Sequence, residues 1–270
     1  MRIGISNLLW TPDLDEAVAR LLNERGIDTI DIAPTRYFED IQRVSFAEAR
    51  AVRGFWQDRG IAITGLQSLL HGTSGLSIFG DIATRQRTGD HLQAAMRVAA
   101  TLEATQLVFG SWPNRDRGAL DPDAAREQAA AFFLPLAEQA QRLGVCLTIE
   151  PISARYGNNF LLDHDQAASL VQRIDNDAFR LTLDIGCIRL AEEDLEAVLE
   201  RHGHLMSHVQ LAEFQLAPLD GDNPLHARAG PLVAARLPAH VACIEALKPR
   251  DVSSLDAIAQ SLEVAQAFYR

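Results

Sequence analysis

The chain has 270 residues, a hydrophobic fraction of 47% and a charged fraction of 23%, which place it among soluble globular proteins. Its net charge of −11 excludes a phosphate-binding surface spread over the whole molecule, because nucleic-acid recognition needs a clustered positive field. No run approaches the roughly 18 uncharged apolar residues of a membrane span. The opening segment MRIGISNLLWTPDLDEAV has no long apolar core or small-residue cleavage site. Cys146, Cys187 and Cys243 share no metal-type or disulfide-framework spacing, so they read as reduced thiols of a cytoplasmic protein.

Along the chain, short apolar runs alternate with longer segments of helical period. The runs fall at residues 2–10, 27–34, 61–70 and 104–112, then at 145–153, 180–187, 206–214 and 240–249. They are rich in Val, Ile, Leu and Thr and mostly continuous in hydrophobicity, as parallel strands covered on both faces must be. In the intervening segment 13–26, Leu14, Val18, Leu21 and Leu22 share one face and Gly26 closes the helix. Segment 121–144 begins on Asp121 as N-cap with Pro122 in its first turn, and ends at Gly144; Pro135 is expected to kink it. The tail 250–270 reads as a last helix that packs Leu255, Ile258, Leu262 and Phe268 inward. Eight such units without a linker predict a single (β/α)8 TIM barrel over residues 1–270. An open doubly wound sheet is the alternative, but the first strand lacks the Gly-rich phosphate turn it would carry.

The barrel gives meaning to one odd stretch, VCLTIEPIS (145–153), where a strand-like run suddenly presents Glu150. Barrel enzymes carry their chemistry at the C-terminal ends of strands. Glu150 stands at such an end, as do Asp184 in LTLDIG, Gln210 in SHVQLAE and Glu245 in ACIEALKP. The four are spaced by about one βα unit each, on the fifth to eighth strands. Three carboxylates on one rim would repel one another without a cation between them. Four oxygen donors suit one divalent metal ion of the Mg²⁺ or Mn²⁺ type, with Co²⁺ or Zn²⁺ tolerated. The opposing reading makes each acid a cap or a salt-bridge partner for a loop Arg, which 25 Lys and Arg residues make available.

The order Glu, Asp, Gln, Glu on the last four strands resembles the xylose isomerase-like barrels, as do the stretches EPISARYGNNF and VFGSWPNR. That resemblance implies Glu150, Asp184, Gln210 and Glu245 as ligands of one divalent ion. It further implies isomerisation or epimerisation of a small sugar, sugar phosphate or hydroxy-keto acid. Glu150 and Glu245 would then be the acid and base that move a proton next to a carbonyl. Sugar epimerases of the family mostly have His where this chain has Gln210, whereas hydroxypyruvate isomerase-like members have Gln. His208 is the rival ligand, but it lies two residues earlier on the same face and about 6–7 Å deeper, which suits an interior hydrogen-bonded residue. Cys187 stands where sugar epimerases often place a substrate-touching His.

Further substrate-binding candidates are Asn7 and Trp10 at the first strand end, His71 after the third and Arg115 after the fourth. Tyr156 and Asn158 follow Glu150, and Glu213 follows Gln210. Trp10 would stack on a sugar face, though barrel-mouth aromatics are as often packing. Arg115 would clamp a carboxylate or phosphate, or pair with Asp116. The expected partner is a small carbohydrate, with no nucleic acid and no membrane, and the resemblance allows a homodimer or tetramer. A lyase that dehydrates a keto-sugar or keto-inositol on the same residues, and a non-catalytic barrel serving as a binding protein, are the competing functions.

Overall fold

The computed structural model describes residues 1–270. Eight parallel strands close into a barrel: β1 (Arg2–Ser6), β2 (Thr29–Ile32), β3 (Ala62–Leu66), β4 (Gln106–Phe109), β5 (Cys146–Ile149), β6 (Phe179–Asp184), β7 (Met206–Ala212) and β8 (Val241–Glu245). Closure is made by β8 on β1, with Arg2 opposite Val241 and Ile5 opposite Ile244. The strand runs read from sequence thus correspond one to one with observed strands, each shorter than its run. In the first, Ser6 accepts a hydrogen bond from Leu8 N and starts a 3-10 turn over Asn7–Leu9, so the apolar run continues while the strand does not.

Nine α-helices lie outside: α1 (Asp15–Glu24), α2 (Phe46–Gln57), α3 (Ile82–Leu102), α4 (Pro122–Leu143), α5 (His164–Ile174), α6 (Ile185–Leu190), α7 (Leu195–His202), α8 (Pro224–Arg236) and α9 (Ser254–Phe268). Local signals explain their ends. Ser45 and Glu48 form a reciprocal capping box on α2. Asp121 caps α4, which runs unbroken through Pro135 to Gly144 in the left-handed region at φ 69°. α1 begins later than the helical pattern, after a 3-10 turn at Pro12–Leu14. Strands and helices share one core of 73 buried apolar residues. No helix is long and apolar enough to cross a membrane.

Polar residues occupy the barrel interior, and they form a closed set. Asp31 on β2 accepts from Thr64 Oγ1 at 2.9 Å, and its other oxygen lies 3.0 Å from His208 Nε2 on β7. Both Asp31 and His208 are buried. Burial alone would raise the Asp31 pKa; the His208 imidazole, Thr64 and Cys243 outweigh it and hold the carboxyl below its usual value. Register shifts at Ile30/Asp31 and Leu181/Thr182 re-aim the following side chains on β2 and β6. Gly65 belongs to this arrangement, since a Cβ there would come within 2.7 Å of the Asp31 carboxylate.

Candidate functional site

At the C-terminal rim of the barrel lies a cavity of about 690 Å³. Glu150, Asp184, Gln210 and Glu245 all line it, each from the end of its own strand, and all four are buried. Glu150 is the first residue after β5. Gly110, the first residue after β4, leaves room for it: a Cβ at Gly110 would overlap Glu150 Oε1. Arg115, fully buried, donates from Nη1 to the Glu150 carbonyl at 2.8 Å. Asp184 ends β6 and caps α6, with Oδ1 accepting from Cys187 N at 3.1 Å. Gln210 donates from Nε2 to Glu245 Oε2 at 3.0 Å.

The electrostatics of this rim are costly. Burial pushes the Glu150 carboxyl well above its usual value; the charges of Glu245 and Asp184 add to that, and Arg115 opposes it. Glu245 is pushed up to about 8, again by burial first, then by Asp184 and by the deeper Asp31. Burial also raises Asp184, while hydrogen bonds from Cys187 and Gly186 pull the other way. The Arg115 guanidinium is lowered to about 10 by its own burial. These are the shifts expected of like charges crowded where water is scarce.

A divalent cation would relieve that crowding, and the donors fit one. Glu150 Oε2 and Gln210 Oε1 are buried without any hydrogen-bond partner, an unfavourable state for atoms of this kind. Gln210 turns its N–H toward Glu245 and keeps its oxygen spare, as an amide ligand must. The set of three carboxylates and one amide is all oxygen, the chemistry hard divalent ions take. The carboxylates stand apart rather than in a finished cage, and no three His, Cys, Asp or Glu side chains meet at metal-ligand spacing.

His71, Tyr156, Cys187 and Glu213 also line the cavity. Tyr156 OH accepts from Gln215 N at 3.0 Å, which joins the loop after β5 to the loop after β7. Cys187 Sγ lies 3.0 Å from Pro151 O and 3.4 Å from Asp184 Oδ2. Glu213 is held in a largely buried network: Oε1 meets His226 Nε2 at 3.0 Å, Asn223 Nδ2 donates to both oxygens, Arg189 Nη1 lies 3.7 Å from Oε2, and His226 Nδ1 lies 2.9 Å from Tyr269 OH. Glu213 is therefore an anchor of the loop that follows β7.

The structure corrects four expectations of a substrate contact. Asn7 does not line the cavity; it is buried and accepts from Ala33 N at 2.7 Å, tying β1 to β2. Trp10 points into the packing layer, donates to Asp15 Oδ1 at 2.7 Å and meets Trp56 edge-on. Both misplacements follow from the 3-10 turn after Ser6, which bends the chain off the strand line. Arg115 is fully buried outside the cavity lining, with Nη1 on the Glu150 carbonyl and its Nε and Nη2 without a partner. Asn158 braces its own loop, donating to Ile152 O and Phe160 O.

Three residues were not singled out by sequence. Gly110 is one. Gln67 donates to Ser6 Oγ and lines the cavity with a buried, partnerless Oε1. Asp31 is the third, and its signal was present: an acid between Ile30 and Ile32 in the middle of the apolar run IDTIDIAP.

The Gln210 and His208 roles separate cleanly by mutation. His208→Ala strands the Asp31 carboxylate in the barrel and should cost about 3–5 kcal/mol of stability. Gln210→Ala should cost less stability, about 1–3 kcal/mol for the Glu245 oxygen it leaves unpaired, and weaken Mn²⁺ affinity far more than His208→Ala does. Chemical denaturation and metal titration of both variants check this, and the opposite ranking in the two assays would refute it.

The family model of the xylose isomerase-like TIM barrel matches residues 19–264. No curated protein sequence matches the chain. Among solved structures, D-psicose 3-epimerase from Clostridium cellulolyticum H10, crystallised with D-tagatose, is similar at a TM-score of 0.82 and 17% identity, over 100% of both chains. The 3-keto-D-glucoside 4-epimerase YcjR from E. coli is similar at 0.75 and 17%, over 96% of this chain and 98% of that one. The IOLI protein with a zinc atom is similar at 0.75 and 16%, over 100% and 98%. At these identities the likeness is one of fold. With its model matched over most of the sequence, the chain belongs to the xylose isomerase-like TIM barrel family.

Proposed function

We propose that this protein is a divalent-metal-dependent isomerase or epimerase of a small sugar. The observation that carries the reading is the quartet Glu150, Asp184, Gln210 and Glu245, raised by four successive strands into one cavity, with two buried oxygens lacking partners. The similar structures include proteins described as sugar epimerases and one holding zinc, which supports the same reading. Those four residues would hold the ion. Once bound, a divalent ion supplies Lewis-acid polarisation of adjacent substrate oxygens.

The protein's own residues do the rest. Glu150 and Glu245 approach the cavity from β5 and β8, so one can take a proton from a carbon next to a carbonyl and the other can return one. Return to the same carbon from the opposite face is epimerisation; return to the neighbouring carbon is isomerisation. Arg115 fixes the backbone at Glu150, and Gln210 fixes the Glu245 carboxylate. Gln67 offers a free acceptor to a substrate hydroxyl.

Metal binding tests the base of this reading. Elemental analysis of protein refolded with Mn²⁺ or Co²⁺ should find one ion per chain. At 100-fold excess over Kd the ion should add about 2.7 kcal/mol of stability, which is roughly 5–10 °C in melting temperature for a chain of this size. Protein that neither retains an ion nor melts higher with it would remove the proposal. Deuterium uptake at the α-carbon of D-fructose, D-psicose or D-tagatose in heavy water then tests the proton transfer.

A further inference from the structure

The cavity is divided in chemistry from floor to mouth, and the division describes its occupant. Its lining holds the carboxylates Glu150, Asp184, Glu213 and Glu245 and not one Lys or Arg. The arginine nearest the floor, Arg115, is fully buried against the Glu150 carbonyl. Phosphate and carboxylate recognition uses Arg or Lys clamps, and a divalent ion would leave the three rim carboxylates with an excess of negative charge. A substrate anion would enter this cavity against the field.

The mouth carries an exposed apolar cluster. Trp112 and Leu247 line it while 40% and 44% exposed. Phe214, 47% exposed, packs on Tyr156 with ring centroids 5.8 Å apart, and the Tyr156–Gln215 hydrogen bond holds that pair across two loops. Three of the seven large apolar side chains left exposed on the whole protein are gathered here. Sugar hydroxyls find partners on the four donors and on Gln67 Oε1, whereas Trp112, Phe214 and Leu247 present mainly hydrocarbon surface. The volume of about 690 Å³ lies in the range of cavities that bury drug-sized ligands, more than one bare monosaccharide fills.

We infer that the substrate is an uncharged oxo-sugar carrying an apolar substituent, a glycoside whose aryl or alkyl group seats between Trp112, Tyr156 and Leu247. The inference rests on the isomerase reading for the carbonyl alone; charge and shape come from the cavity. It narrows the substrate away from sugar phosphates and hydroxy-keto acids.

Equilibrium binding to the Mn²⁺-supplemented protein tests it, with phenyl glucopyranoside, methyl glucopyranoside and D-glucose 6-phosphate as probes, each glycoside in both anomeric forms. Burying a phenyl ring in the collar should make one phenyl glycoside bind about tenfold or more tighter than its methyl counterpart. D-glucose 6-phosphate should bind weakest. Trp112→Ala should collapse the phenyl preference. Equal binding of phenyl and methyl glycosides, or tightest binding of the phosphate, overturns the inference. So does a Trp112→Ala variant that breaks up a homo-oligomer yet keeps the phenyl preference, because the collar would then be an interface between copies. Deuterium uptake by ketoses reports separately on the isomerase reading: if no ketose exchanges while the phenyl preference holds, the substrate inference stands and the reaction falls.

Discussion

Glu245→Gln should abolish proton transfer and, in the metal-free protein, raise the melting temperature. The two effects have one cause. Glu245 titrates at about 8 in the folded chain against 4.5 ordinarily, because it is buried beside Asp184 and above Asp31. The folded state therefore holds the Glu245 proton more tightly than the unfolded state does. By linkage, this group's contribution to stability is greatest below pH 4.5 and is lost as pH rises toward about 8. Gln at this position carries no charge at any pH, so metal-free Glu245→Gln should melt above the parent at pH 8, with the gap closing near pH 4.5. Glu150→Gln should behave likewise, since its carboxyl is raised by burial and by the same neighbours.

Both variants keep an oxygen donor, so each should retain Mn²⁺ while losing about 10²–10⁴-fold in turnover and deuterium exchange. If one glutamate alone takes the proton from a given epimer, only its variant should block exchange from that epimer. Normal turnover in both variants would mean that the carboxylates serve structure, and the isomerase reading would go with them. A pH-independent melting gap would show that Glu245 is not the strained group described.

Gly110→Ala is the second severe substitution, although it removes no functional atom. The added Cβ would overlap Glu150 Oε1 and lie 2.8 Å from its Cδ. Arg115 Nη1 holds the Glu150 carbonyl, so the backbone there is fixed and the side chain has to move. The carboxylate must swing out of place, and a displacement of about 1 Å can cost 10²-fold in rate. Overpacking of this kind also costs about 1–3 kcal/mol of stability. Metal affinity and deuterium exchange should both fall, the latter by about 100-fold. The route through Glu150 is checked by a double-mutant cycle: in a Glu150→Ala background, Gly110→Ala should have almost no further effect on metal affinity. Additive losses would place the damage elsewhere.

The architecture was readable because parallel strands covered on both faces leave a strong mark, and all eight apolar runs contain a strand. Their ends were less readable. VCLTIEPIS is a strand only over Cys146–Ile149, and RIGISNLLW only over Arg2–Ser6. Hydrophobicity persists past the last ladder bond because loop residues at the rim also pack inward. For Asp184, Gln210 and Glu245, which lie within strands, position along the run was enough to put them on the rim. For Asn7, Trp10, Arg115 and Asn158, which lie in turns, direction depends on a few backbone dihedrals. Periodicity carries no trace of those. Nor does it show depth: Arg115 looks like a surface loop cation in WPNR and is fully buried.

The fit of Glu150 against Gly110 constrains how the site can drift among relatives. The two residues come from neighbouring strand ends but occupy one volume, so they cannot change singly. A descendant that abandons the carboxylate at position 150 is freed to accept a side chain at position 110, while the carbonyl that Arg115 holds remains. Across an alignment, then, a residue larger than glycine at 110 should accompany loss of the acid at 150. Sequences showing that pair would be barrels that have left this chemistry while keeping its shape.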